Sequence, residues 1–219
     1  MSNRTIYDAL INAGLTRAGA LGVMGNMMAE SAMKSNIAQR GTTKLSDEQY
    51  TAAADNGLID FANDQVGYGL CQWTYHTRKN ALLTFCKARG ASVGDEAVQV
   101  DFCIRELRSD FSSLYKTLCT STDINQCSDL VCSQFERPAV NNFDIRRAYA
   151  HQFAEEITEA AYKPPKENPV QATFPPDPSI WTIQLVMQFN GFWDSPADGH
   201  KSKEFFNALR EFVNAMESC

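Results

Sequence analysis

The stretch "GYGLCQWT" (residues 67–74) interrupts a chain otherwise dominated by helical periodicity. Gly67 and Gly69 bracket a tyrosine, and a glutamine and a tryptophan follow side by side. Glycine weakens the interior of a helix or strand, but it suits a loop whose backbone must approach a ligand closely. Around it, Tyr68, Gln72, Trp73, Tyr75, His76 and Arg78 combine flat apolar faces with polar edges. Such a mixture can grip a pyranose ring by its face and its hydroxyls by their oxygens. Asp64 stands just ahead and can present a carboxylate. The competing interpretation is an aromatic loop packed beneath the domain, and the alternation of Trp73 and Tyr75 with polar neighbours argues against it.

On the N-terminal side, residues 5–13 form a short helix that Gly14 stops, and Thr16 can cap a longer one through "RAGALGVMGNMMAESAM". Gly19, Gly22 and Gly25 recur every third residue there. Each costs about 1 kcal/mol against alanine, so they mark a ridge that lets other helices approach. Glu30 falls near the end of this helix, among Met27, Met28, Ala29, Ala32 and Met33. A helix C-terminus and apolar neighbours both disfavour a carboxylate charge, the setting a general acid needs. A frayed, solvated glutamate is the alternative at this position.

Residues 34–66 loosen into polar turns, a long irregular excursion with room for a small hairpin, and such excursions are usually functional. Helical periodicity returns over residues 77–89, 97–107, 114–118, 124–135 and 145–162, with Pro138 stopping the fourth of these. The spacing predicts a mainly α fold with at most a small hairpin. Residues 163–178 hold six of the eight prolines and read as a semi-rigid linker. Residues 179–219 form a small helical module, too short to bury much core alone. The domains are therefore 1–162, 163–178 and 179–219.

Composition excludes several classes. The 219 residues are 44% hydrophobic and 21% charged, an ordinary globular balance. A net charge of −6 with no basic stripe argues against nucleic acid. No apolar run approaches the roughly 20 residues of a membrane helix, so no membrane insertion is expected. The start lacks a secretory pattern, which predicts synthesis in the cytoplasm and release by other means. Seven cysteines without a C-x-x-C pair and three scattered histidines give no metal-ligand spacing. The cysteines read as reduced and structural, and no metal or cofactor is implied.

Taken together, "GNMMAES" and "GYGLCQWT" resemble the E-S … G-[YF]-G-L-x-Q pattern of the lysozyme superfamily, shared by goose-type lysozymes and soluble lytic transglycosylases. A closer resemblance is to the phage tail lysozyme family. Its "DNG … F.ND..GYGL.QWT…R" run and downstream "[FY]ERP" are matched by Asp55 to Arg78 and by Phe135 to Pro138. Cys71 departs from the small residue or Met usual between Leu and Gln. The resemblance implies a lysozyme-like α+β catalytic domain over 1–162. It implies that Glu30 is the proton donor and that Asp64, with Asp55 in reserve, holds water. It places Tyr68 and Gln72 in the cleft beside the acid, where the loop's own chemistry adds Gly69, Trp73 and Tyr75 as substrate-binding residues, and it leaves Glu136 of "FERP" structural, pairing with Arg137 or a backbone group. The C-terminal L-Q … D-G … F pattern is similar to peptidoglycan-binding domain type 1.

The activity so implied is that of a peptidoglycan muramidase from a phage or prophage, an endolysin or tail lysin acting at the bacterial cell wall. It would cleave the β-1,4 bond between N-acetylmuramic acid and N-acetylglucosamine. A lytic transglycosylase giving 1,6-anhydro products is the alternative, and a wall-binding tail structural protein is the non-enzymatic one. Neither a Cys-His pair nor a metal site supports a peptidase or amidase. The acidic net charge leaves wall binding to sugar contacts rather than long-range attraction.

Overall fold

The computed structural model describes residues 2–157. The linker over 163–178 and the module over 179–219 lie outside the described residues, as does the end of the helix expected to reach 162. The described part is mainly helical: α1 (Asn3–Asn12), α2 (Arg17–Ser31), α3 (Asp47–Asp55), α4 (His76–Lys87), α5 (Glu96–Ser109), α6 (Ser112–Leu118), α7 (Ile124–Leu130), a π-helical turn (Val131–Glu136) and α8 (Phe143–Glu156). No strand forms among these residues. The small hairpin reduces to isolated bridges pairing Tyr68 with Ala38 and with Trp73. No described helix is long and apolar enough to cross a membrane.

Central to the fold is α2, buried around almost its whole circumference from Ala18 to Met27. Its start is capped as expected, with Thr16 accepting from the Gly19 amide. A helix apolar on every side must be wrapped, and α2 packs against α1, α6, α7, the π turn and α8. The glycine ridge makes that possible. A Cβ on Gly19 would lie 2.2 Å from the Leu118 carbonyl oxygen of α6. On Gly22 it would lie 2.8 Å from Cys127 of α7, and on Gly25 2.6 Å from the Arg146 carbonyl oxygen of α8. Three neighbours thus dock on three glycines. Because these contacts involve backbone, Gly22→Ala is expected to lower stability by about 1–3 kcal/mol, measurable by denaturant unfolding.

Two elements differ from expectation. Within the excursion over 34–66 lies α3, started by a capping box in which Ser46 accepts from the Gln49 amide and Gln49 accepts from the Ser46 amide. The single helix expected over 124–135 instead widens into the π turn after Leu130. The Arg137 amide closes it onto the Cys132 carbonyl at 2.8 Å, and Arg137 adopts the left-handed conformation at φ 51°. The six described cysteines are free thiols, five of them buried.

Candidate active site

A cleft of about 1240 Å³ gathers residues from several stretches of the chain. Glu30 comes from the end of α2, and Asn63 and Gln65 from the excursion. Gln72, Tyr75 and Arg78 come from the glycine-rich turn and the start of α4. Phe135, Glu136 and Arg137 come from the end of the π turn. Two consecutive left-handed residues without glycine, Ala32 (φ 52°) and Met33 (φ 61°), end α2 immediately beyond Glu30. Such conformations persist only where the surroundings enforce them. Ser31 supplies part of that enforcement, since its hydroxyl lies 2.9 Å from the Met27 carbonyl and 3.0 Å from that of Leu70. Adjacent residues of the E-S pair therefore divide the labour, Glu30 facing the cleft and Ser31 tying the helix end to the turn.

Glu30 is not surrounded by apolar side chains alone. Arg146 of α8 donates from Nη2 to Glu30 Oε1 at 2.6 Å, from Nη1 to Asn26 Oδ1 at 2.9 Å and from Nε to the Asn141 carbonyl at 2.9 Å. The Glu30 side chain is 17% exposed, enough to meet a ligand from the cleft. Arg146 carried no signal in the sequence, where it reads as one more charge on an amphipathic helix.

The turn over 67–74 is closed by reciprocal backbone bonds between Tyr68 and Trp73, at 3.1 and 3.0 Å. Its amides are committed: Gly69 donates to the Ile37 carbonyl (2.9 Å) and Gly67 to Gln39 Oε1 (3.2 Å). Gly69 is required by its backbone, at φ 73°, and by Gln99, whose side chain would sit 2.4 Å from an added Cβ. The substrate-binding expectation divides accordingly. Gln72 and Tyr75 line the cleft, and Tyr75 is 64% exposed beside His76.

Tyr68, Gly69 and Trp73 belong to the scaffold. Trp73 is fully buried, packs edge-on against Phe102 and donates from Nε1 to Glu106 Oε2 at 2.7 Å. Tyr68 is fully buried between Tyr50 and Phe61, its hydroxyl 2.6 Å from that of Thr51. Neither ring offers a face to a sugar, because the reciprocal pairing that closes the turn sends both into the core.

The two aspartates read as holders of water are likewise occupied elsewhere. Asp64 accepts from Lys79 Nζ, from the Tyr50 hydroxyl (2.6 Å) and from the Val66 amide (3.0 Å). Lys79 is wholly buried, its ammonium 4.3 Å from the Phe61 ring centre. Burial pushes Lys79 below its ordinary pKa while the Asp64 carboxylate opposes that. The aspartate is thus the counter-ion of an interior lysine. Asp55 accepts from the Ser92 hydroxyl (2.5 Å) and the Val93 amide (2.8 Å), fastening a loop on another part of the surface. Neither lines the cleft that holds Glu30.

Glu136 does line it, and makes neither the ion pair with Arg137 nor the backbone bond expected of it. Arg137 turns its Nε to the Gln134 carbonyl instead, at 2.9 Å. Burial, and after it the charge of Glu30, push Glu136 well above the ordinary carboxyl range, while Arg78 and Arg146 pull the other way. Arg78 is itself engaged, forked onto Glu106 with two bonds of 2.8 Å and reaching the Phe135 carbonyl at 3.2 Å. The "ERP" triplet advertised a turn, and only the packed structure turns its glutamate into the cleft.

No curated protein matches the chain. The family model for phage tail lysozyme matches residues 2–157, every residue that contributes to the cleft. The chain belongs to the phage tail lysozyme family, and with it to the lysozyme-like enzymes that degrade bacterial peptidoglycan.

Proposed function

We propose that the protein is a muramidase cleaving the β-1,4 bond between N-acetylmuramic acid and N-acetylglucosamine, with Glu30 as the proton donor. The observation that carries this reading is the convergence of Glu30 with Gln72 and Tyr75 on one cleft, of about 1240 Å³. That exceeds the roughly 300–1,000 Å³ of ordinary small-molecule pockets and suits an extended glycan. Glu30 protonates the glycosidic oxygen as the C1–O bond breaks and an oxocarbenium-like centre develops. Gln72 offers its amide to sugar oxygens, and the exposed Tyr75 ring takes a pyranose face.

Of the two rings expected to offer a face, Trp73 and Tyr75, this assignment keeps Tyr75. Tyr75→Ala is expected to raise KM about tenfold, some 1.4 kcal/mol, with kcat nearly unchanged and the fold intact. Steady-state kinetics on solubilised glycan strands measure it. An unchanged KM in Tyr75→Ala would return the sugar platform to another residue.

A second reading is favoured by the engagement of Asp64 with Lys79 and of Asp55 with Ser92. With neither aspartate free to hold water, the muramic 6-hydroxyl can close on C1 and give a 1,6-anhydro product. Mass spectrometry of the fragments separates the two, since the anhydro end lacks the mass of one water.

A further inference from the structure

Glu30, Arg78 and Glu136 line the same cleft, and the charges of Glu30, Glu106, Arg78 and Arg146 all act on Glu136. The ion pairs account for all but one of these groups. Arg146 is bound to Glu30, and Arg78 to Glu106, whose side chain is only 2% exposed. Glu136 is the group left over, with no hydrogen bond or ion pair among the described residues. The other titratable groups beside it are the thiols of Cys71 and Cys132, which burial pushes up and so keeps neutral. Tyr75 and His76 lie at the exposed lip. A like charge beside an ion-paired carboxylate, with no donor to satisfy it, favours retention of a proton.

Resting on the muramidase reading, we propose that Glu136 is the proton store of the site. It holds the one proton that the charge count leaves over and passes it through cleft water to Glu30. The proton moves from the Glu136 carboxyl to the Glu30 carboxylate, and from there to the glycosidic oxygen as the C1–O bond breaks. Water, or the muramic 6-hydroxyl, adds to C1 and returns its proton to the two glutamates. Atoms and charge balance over the cycle, and no redox partner is needed. The π turn gives Glu136 this placement, since its extra residue per turn and the left-handed Arg137 turn the end of the helix into the cleft. Single-turn π segments of this kind recur at functional sites.

The test is the pH profile of kcat/KM for Glu136→Gln against wild type on purified peptidoglycan, with His76 present in both. Without the store, the alkaline limb is expected to move toward acid by at least about one pH unit, giving a roughly tenfold loss near neutrality that is largely recovered at about pH 5. Glu136→Asp should keep most of the wild-type profile. A superimposable profile, or a loss equal at every pH, overturns the proposal, because a merely structural glutamate has no reason to move the limb.

A second readout needs no turnover. Folded Glu136 holds its proton to higher pH than the unfolded chain does. Its contribution to stability is therefore complete below the ordinary carboxyl value and is lost as pH rises through the folded one. The Tm of Glu136→Gln should match wild type at about pH 4 and exceed it by several degrees at about pH 8. Should wild type cleave no glycan at any pH, the muramidase reading fails, and the carbon-13 titration of the Glu136 carboxyl judges the store alone. A midpoint above about 6 supports it, and an ordinary one overturns it.

Discussion

Glu30→Gln is expected to abolish lysis of purified cell walls, lowering the rate by a factor of about 10² to 10⁴, the usual contribution of a positioned general acid. The amide keeps the shape and can still accept a hydrogen bond from Arg146 Nη2, now 2.6 Å from Glu30 Oε1. The fold and wall binding should therefore survive. What is lost is, among the described residues, the one carboxyl that both lines the cleft and is held in a fixed geometry by a neighbouring helix. Arg146 is oriented by Asn26 and Asn141 as well as by Glu30, and Gly25 lets its backbone come close to α2. Circular dichroism and a wall-pulldown assay check the fold and the binding. A mutant retaining more than about a tenth of wild-type turnover would contradict a role worth two or more powers of ten.

Asp64→Asn is expected to act on stability. Lys79 is wholly buried and, among the described residues, Asp64 is the only carboxylate hydrogen-bonded to it. Removing one partner of a buried pair typically costs about 3–5 kcal/mol, because the remaining charge is left uncompensated. For a domain of this size that corresponds to a Tm lower by roughly 10 °C. Below the transition, the folded fraction should keep a turnover close to wild type, since the Asp64 carboxylate faces Lys79, Tyr50 and the Val66 amide. Had Asp64 oriented the attacking water, the ranking would invert, with turnover falling about 30-fold, some 2 kcal/mol, and Tm unmoved. Thermal melts and initial rates on the same preparation distinguish the two.

The backbone of the fold was legible where local chemistry is decisive. The spacing of Gly19, Gly22 and Gly25 announced a helix wrapped by others, and each glycine meets a different helix. The cap at Thr16 was readable for the same reason. Helix α3 was missed although Ser46 and Gln49 spell a capping box, because the surrounding turn residues masked nine residues of modest amphipathicity. The π turn had no readable signal, since its extra residue is set by packing against α2.

The motifs pointed to Glu30 and Gln72 and the aromatic-polar mixture to Tyr75, and all three line the cleft. Trp73 and Tyr68 were misplaced because alternation with polar residues says that two faces exist, not which one is wet. Asp64 went astray for a related reason: its partner Lys79 reads as a surface lysine until it is seen buried. Arg146 lies 116 residues from Glu30, and no local pattern links such a pair.

Digestion of purified peptidoglycan by the wild-type protein, followed by mass spectrometry of the soluble fragments, bears most directly on the claim that this cleft cuts glycan with Glu30. The account predicts disaccharide-based fragments ending in N-acetylmuramic acid, reducing or 1,6-anhydro, and none with Glu30→Gln. Fragments ending in N-acetylglucosamine, or intact glycan strands freed of their peptides, would contradict it.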